Sequence, residues 1–374
     1  MKRGADFETR RADLPGLRST TAGLGRLPAV RRYVILAEGF FGELPSKTAM
    51  GVIRYGRDAV VAVIDSERAG RNVREWLGDR VDIPIVATLD EALARRPNSL
   101  LIGIAPPGGR IPPAWRAAVL RSIEAGLDIV SGLHEFLADD PEFAAAAARR
   151  GVTITDHRRP PERMVVASAH PHKPSSKVVL TVGSDCAIGK MSVALELRRT
   201  ALQQGLAAVF VPTGQTGIMI DGWGIAVDRV VSDFVQGSVE WLVEQAEEKG
   251  EWIFVEGQGS LDHPAYSSVT LGLLHGSRPQ AMVLVHEPGR EFHHGWEGRS
   301  RIKPLKQLVR IHEDVAGLIA PGRVVALALN TQALTDGEAR RAIAAASAET
   351  GLSADDPLRF GAELLLDALR AALA

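Results

Sequence analysis

The chain has almost no cysteine, no excess charge of either sign and no long apolar run. One cysteine in 374 residues, Cys186, excludes an internal disulfide framework and fits a reducing compartment. Lysine and arginine total 44 against 45 aspartates and glutamates, a formal charge of −1. No global field therefore draws the protein to nucleic acid or to an anionic membrane surface. No apolar stretch approaches the roughly 20 residues that span a bilayer. The first thirty residues are basic but lack the apolar core of a secretory signal, so residues 1–30 are expected to form a flexible arm and the protein to be cytoplasmic. What remains is 45% hydrophobic and 24% charged, the composition of a soluble globular protein. The length suits two domains, and a homo-oligomer acting on a small molecule is the expectation.

From Arg32 onward, short apolar runs alternate with amphipathic stretches. "YVILAEG" (33–39), "AVVAVID" (59–65), "SLLIGIAPPGG" (99–109), "LDIVSGL" and "VTITDH" read as buried strands ended by glycine, proline or a polar residue. "PPAWRAAVLRSIEAG" carries Trp115, Val119, Leu120 and Ile123 at helical spacing, with Pro113 near its start and Gly126 past its end. Such alternation implies a parallel sheet covered by helices, a Rossmann-like domain over residues 31–172. The connector "MVVASAHPHKPSSK" (164–177) is rich in proline and serine and places the boundary near residue 172. A second α/β domain, residues 173–374, then opens with the strand "KVVLTVG" (177–183) and the helix "MSVALELRRTALQQG" (191–205). "AAVFVPTGQ", "WIFVEGQGS", "AMVLVHEPG" and "VVALALNTQ" follow as strands, and two alanine- and leucine-rich helices close the chain.

Between that strand and that helix lies Gly183-Ser184-Asp185-Cys186-Ala187-Ile188-Gly189-Lys190. Ligands of open α/β sheets sit where loops leave the carboxyl ends of strands. Backbone N–H groups and the positive end of the following helix make this exit an anion site, and Lys190 adds a point charge for phosphate. The usual spacing has four residues between the glycines; here there are five, as in dethiobiotin synthetase and its relatives. Met191 is the departure, because a nucleoside triphosphatase carries Ser or Thr directly after the lysine to ligate Mg²⁺. The hydroxyl arrives one residue late, at Ser192, about 100° further round the helix. The loop is thus suited to holding a diphosphate and poorly equipped for metal-assisted cleavage.

Other strand exits supply candidate chemistry. Glu256 ends a strand where a Walker-B carboxylate would lie, and the glycine-rich "VPTGQTGIMIDGWG" carries Thr213, Gln215, Thr216 and Asp221 as an expected substrate-facing loop. Both carboxylates are candidate general bases, and the backbone of 257–260 is a candidate oxyanion site. Asn330 could read an adenine edge. Arg290, Arg299 and Arg301, with Lys303 behind them, form a basic segment whose guanidinium forks suit a dicarboxylic substrate. His263, His286, His293 and His294 do not have the spacing of a reliable metal site, and no metal is expected. Cys186 fits either a crowded turn or a covalent acyl carrier, with no partner histidine assignable from sequence.

"VGSDCAIGKMS", "PTGQTGIMI", "VEGQGSLDHPAYSSVTLGLLHGSRPQAMVLVHEPGR" and "DPLRFG", with "AEGFFGELPSKTAMGVIRYG" near the start, together resemble one family over roughly residues 32–365. It pairs a Rossmann-like N-terminal half with a P-loop C-terminal half, and its characterised members are D-glutamate N-acetyltransferases. The resemblance implies transfer of acetyl from acetyl-CoA to D-glutamate, the N-acetyl product passing to an epimerase-type enzyme. Lys190, its glycine loop and Glu256 match the family's motif positions. Coenzyme A offers an adenine, a 3′-phosphate and a diphosphate, which a non-cleaving anion loop would hold as a handle. Two rivals predict other behaviour. An ATP- and Mg²⁺-dependent ligase or kinase of the dethiobiotin synthetase type would release ADP, and a non-enzymatic nucleotide-binding switch would turn over no acyl donor.

Overall fold

The computed structural model describes residues 31–374; the arm expected over residues 1–30 lies outside the described residues. The chain divides into two compact units. One runs up to Ala49 and includes Asp58–Ser131 and Glu135–Val165, and the other comprises Met50–Arg57, Gly132–His134 and Val166–Ala374.

In the first unit β1 (Arg32–Leu36), β2 (Ala59–Ile64), β3 (Ile85–Val86), β4 (Ser99–Ile102), β5 (Asp128–Ser131) and β6 (Ile154–Asp156) form one parallel sheet in the order β3-β2-β1-β4-β5-β6. Local chemistry fixes the covering helices. Pro141–Arg150 is capped by Asp140, whose carboxylate accepts the N–H groups of Glu142 and Phe143, and Gly151 in the left-handed region ends it. Its Phe143 is fully buried, worth roughly 2–3 kcal/mol of hydrophobic stabilisation. The strand order puts a crevice outside β1 and β4, where a dinucleotide would sit. Asp65, just past β2, is the residue type that reads a ribose in such folds. Here its buried carboxylate turns inward, accepting from Phe41 N at 2.9 Å, Glu67 N at 3.1 Å and Arg68 at 3.1 Å. The loop after β1 is tied to the β4 exit by Ala105 N donating to the Pro45 carbonyl at 2.8 Å.

The second unit has β7 (Lys177–Gly183), β8 (Ala208–Val211), β9 (Trp252–Val255), β10 (Ala281–His286), β11 (Arg323–Leu329) and β12 (Ser353–Asp355), again all parallel, in the order β12-β11-β10-β7-β9-β8. β10 is buried on both faces from Ala281 to Val285, which explains its unbroken apolar run. The alternation read from the sequence thus holds in both units. Two short edge strands, β3 and β12, join the ten that the sequence announces.

Candidate active site at the glycine loop

β7 lies in the middle of its sheet, so both neighbours deliver side chains to its C-terminal end. β9 brings Glu256, and β10 brings His286 and the loop behind it. Gly183 closes β7 with the loop's own side chains packed against it: a Cβ would lie 2.9 Å from Ile188 Cδ1 and 3.1 Å from Lys190 Nζ, so both would have to move. Ala187 at the crest takes a left-handed φ of 55°, and Gly189 at φ 106° turns the chain into the helix Lys190–Gln203. Lys190 is buried, and its ammonium donates to the Asp185 carbonyl at 2.5 Å. That bond folds the lysine over its own loop, in the position from which a phosphate would draw it. Ser184 sits against His286 Nδ1 at 2.9 Å, and burial pushes that imidazole down to about 4, so it is neutral at physiological pH.

Asp185 organises the loop. Its fully buried carboxylate accepts from Cys186 N at 2.7 Å, His294 N at 2.8 Å and Arg290 Nη1 at 2.9 Å. Burial would raise its pKa, but these hydrogen bonds and the Arg290 charge outweigh that and hold it below the usual aspartate value. Arg290 also binds Glu287 at 2.6 Å and the Cys186 carbonyl at 3.2 Å. Of the three arginines expected to meet a substrate, Arg290 is the one joined to the glycine loop. Arg299 donates back to the Gly295 carbonyl at 2.9 Å, and Arg301 is exposed and pairs with Glu291 at 3.2 Å.

The structure supplies the histidine that Cys186 lacked in the sequence. His263 Nε2 lies 3.8 Å from Cys186 Sγ and 3.6 Å from Asp185 Oδ1. Its Nδ1 accepts the N–H groups of Ala265 at 3.1 Å and Tyr266 at 3.3 Å, which assigns the proton to Nε2. Burial, chiefly, lowers its pKa and keeps the ring neutral. His263 is therefore a donor to the sulfur, with the carboxylate just beyond hydrogen-bond range, and not an acceptor of the thiol proton. Ligand atoms of Asp185, Cys186 and His263 lie within 4.8 Å of one another, spacing that a cation could bridge. A metal would need the Nε2 lone pair and hence the proton on Nδ1, against two backbone donors, so the donor pattern does not fit one.

Met191 has a packing role that no local motif could reveal. Its Cε lies 3.1 Å from where a Cβ on Gly51 would stand, with Thr216 Cγ2 at 2.9 Å from the same point. The side chain fills the surface left by Gly51, in the segment 50–57. Four residues on, Tyr55 donates to buried Glu196, in the helix behind the loop, at 2.9 Å. Ser192 is half-buried on the same helix.

Glu256 is buried beside this assembly. Its Oε2 accepts from Thr213 N at 2.9 Å and Gly214 N at 3.0 Å, at the start of the helix Gln215–Asp221. Thr213 returns its hydroxyl to the Glu256 carbonyl at 2.8 Å, and Gln258 donates to the Thr213 carbonyl at 2.7 Å. Gln215, the first residue of that helix, is buried where Gly132 allows close approach. Asp221 stands at the helix's other end, held by Arg198 at 2.8 Å and Trp223 Nε1 at 2.7 Å. Asn330, just past β11, accepts from Gln332 N at 3.3 Å in a local turn. A groove of about 440 Å³ at the β12 edge, lined by Arg340, Asp355 and Leu364, brings none of these residues together.

Comparison with known proteins finds a family match in each half of the chain. Residues 165–366 match a domain of unknown function, DUF1611, described as its P-loop domain, and residues 66–160 match its N-terminal Rossmann-like domain. The chain is 36% identical over 345 residues to a D-glutamate N-acetyltransferase of Tritonibacter scottomollicae, covering 89% of this chain and 97% of that protein. A D-glutamate N-acetyltransferase from a Pseudoalteromonas species is 34% identical over 277 residues, 74% of this chain and 82% of its own. The crystal structure of a DUF1611 family protein from Anabaena variabilis superposes with a TM-score of 0.86 at 40% identity, covering 91% of this chain and 99% of that one.

Proposed function

The chain belongs to the DUF1611 family, and for this acyltransferase we propose transfer of acetyl from acetyl-CoA to the amine of D-glutamate, with the glycine loop holding the coenzyme's phosphates. The observation that carries the role of the loop is the pairing of a buried Lys190 with a Met191 turned into packing against Gly51. Charge and N–H donors are in place for a diphosphate, whereas the hydroxyl that would bring Mg²⁺ to a γ-phosphate is replaced by an apolar contact. Phosphate binding there anchors the coenzyme at one end and leaves its bonds intact.

The acceptor arrives as an ammonium ion and must lose a proton before its nitrogen can attack a thioester carbonyl. Of the two candidate bases, Glu256 is the better placed, one strand from the loop, while Asp221 is occupied by Arg198 and Trp223. Arg299 and Arg301 provide guanidinium groups for the two acceptor carboxylates, and Arg290, bound to Asp185 and Glu287, positions the loop that carries them. Thr213 and Gln215 shape the side of the site opened by the Glu256 loop, and Asn330 is kept as the adenine-side contact.

The test is thiol release from acetyl-CoA with D- and L-glutamate and D- and L-aspartate, run with and without Mg²⁺-ATP. The reading expects release with D-glutamate, independent of ATP. Release of ADP with no free thiol would replace it with a ligase or kinase.

A further inference from the structure

Three residues beyond Arg290 begins a second constellation. His293 is fully buried; its Nδ1 lies 2.9 Å from Ser300 Oγ, and its Nε2 lies 3.3 Å from Asp262 Oδ1. Nδ1 accepts from the serine hydroxyl, which puts the proton on Nε2; the Asp262 contact is one of ion-pair distance, outside hydrogen-bond geometry. Asp262 is itself buried, takes the Ser260 hydroxyl at 2.7 Å on Oδ1, and has the Lys303 ammonium 3.6 Å from Oδ2. The hairpin geometry fixes the pair, since His293 N donates to the Ser300 carbonyl at 3.0 Å and Phe292 bridges to Arg301.

Buried polar groups are normally satisfied, and exceptions ask for a cause. Asp262 Oδ2, His293 Nε2 and His312 Nε2 are all buried without a hydrogen bond. His312, whose other nitrogen is held by the Leu308 carbonyl at 2.7 Å, is near enough to Asp262 and Lys190 for both charges to act on it. The His263 ring stands 5.2 Å from that of His293 and 4.9 Å from Trp296, so the cluster adjoins the residues around Asp185. Ser300 is half-buried, and Arg299 and Arg301 flank it in sequence.

We propose that Ser300 is the acyl-accepting nucleophile, with His293 as its base and Asp262 as the residue that positions His293. The inference rests on the acyl-transfer reading above. The Ser300 oxygen bonds to the acetyl carbonyl carbon while its proton passes to His293 Nδ1. The carbon–sulfur bond then breaks, and the departing thiolate takes that proton. The amine, already relieved of one proton by Glu256, attacks the acetyl-serine ester. Its N–H proton goes to His293, the carbon–oxygen bond breaks, and Ser300 recovers its hydrogen. The imidazolium formed at each step sits against the Asp262 carboxylate. No oxidant or reductant is required.

The experiment uses the full chain. Acetyl-CoA alone, followed by acid quench and peptide mass analysis, is expected to place acetyl on the peptide containing Ser300, and a fluorophosphonate probe is expected to label the same serine. Ser300→Ala should lose turnover by about a thousandfold while keeping the wild-type melting temperature. Ser300→Cys should keep measurable turnover. Asp262→Asn should lower kcat and leave the KM for acetyl-CoA in place. Turnover by Ser300→Ala within a few-fold of wild type, or thiol release by wild type with neither acetyl nor probe on Ser300, overturns the nucleophile. Probe labelling of Ser300 in a protein that releases no thiol from acetyl-CoA with D-glutamate sustains the relay and instead overturns the acetyl-CoA reading.

Discussion

Asp185 is the point at which the glycine loop and the loop from β10 are joined, and Asp185→Asn isolates that function. The substitution keeps size and shape but removes a fully buried charge that accepts three hydrogen bonds, one from Arg290 and two from backbone N–H groups. The amide oxygen can still take a backbone N–H. Its NH₂ group, however, must face either Arg290, at 2.9 Å, or the proton on His263 Nε2, at 3.6 Å. A hydrogen bond to a charged group contributes roughly 1.5–3 kcal/mol, and breaking a buried pair adds the penalty of the stranded donor. Glu287 remains bound to Arg290 and limits the damage. The expected loss is about 2–4 kcal/mol, or roughly 4–16 °C in the melting temperature of a unit this size. Urea and thermal unfolding followed by circular dichroism measure it, and the KM for acetyl-CoA should rise in parallel as the 287–303 segment loosens. A variant with wild-type stability and wild-type KM would refute Asp185 as the joint.

Three other outcomes follow from the geometry. His157, His286 and His312 are held near a pKa of about 4, first by burial, against an ordinary value of 6.5. Their folded-state values are depressed, so the unfolded chain takes up protons first; the stability they contribute is full above pH 6.5 and is lost as pH falls toward 4, by about 2 kcal/mol each at pH 5. Urea midpoints at pH 7 and pH 5 test this, and equal midpoints would contradict it. Gly217→Ala would set a Cβ 2.4 Å from Glu256 Oε2, so the carboxylate must leave Thr213 and Gly214; turnover should fall at least tenfold, whereas unchanged kcat would remove Glu256 from the chemistry. Gly51→Ala would press on Met191 and Thr216 and should cost about 1–3 kcal/mol in thermal unfolding of the second unit, a melting point equal to wild type counting against the packing account of Met191.

The sequence carried the fold because the periodicity that defines its strands and helices is local. "KVVLTVG" is read as a strand over the residues it occupies, and the glycine loop is placed between it and a helix with no further information. The two strands it did not announce, β3 and β12, are two and three residues long at sheet edges, too short for an apolar run. The site was less legible, because its pairings are distant along the chain. Met191 could be seen to break a pattern, but the reason lies at Gly51. Cys186 and His263 stand 77 residues apart, and Asp185 and Arg290 stand 105 apart. Asp221 looked like a free carboxylate until Arg198 and Trp223 were found on it. Ser300 carried no signal at all, being one serine in a polar loop, and only the hairpin that sets it against His293 brings it to notice.

Lys190 gives the most direct test of the claim that the loop anchors the coenzyme by its phosphates. S-Acetylpantetheine carries the same thioester as acetyl-CoA without the diphosphate, so the ratio of kcat/KM for the two donors reports the anchor alone. Wild-type protein should favour acetyl-CoA strongly, and Lys190→Ala should erase about 10- to 100-fold of that preference while leaving the truncated donor nearly unaffected. A preference that survives Lys190→Ala undiminished would show that the phosphates are held elsewhere.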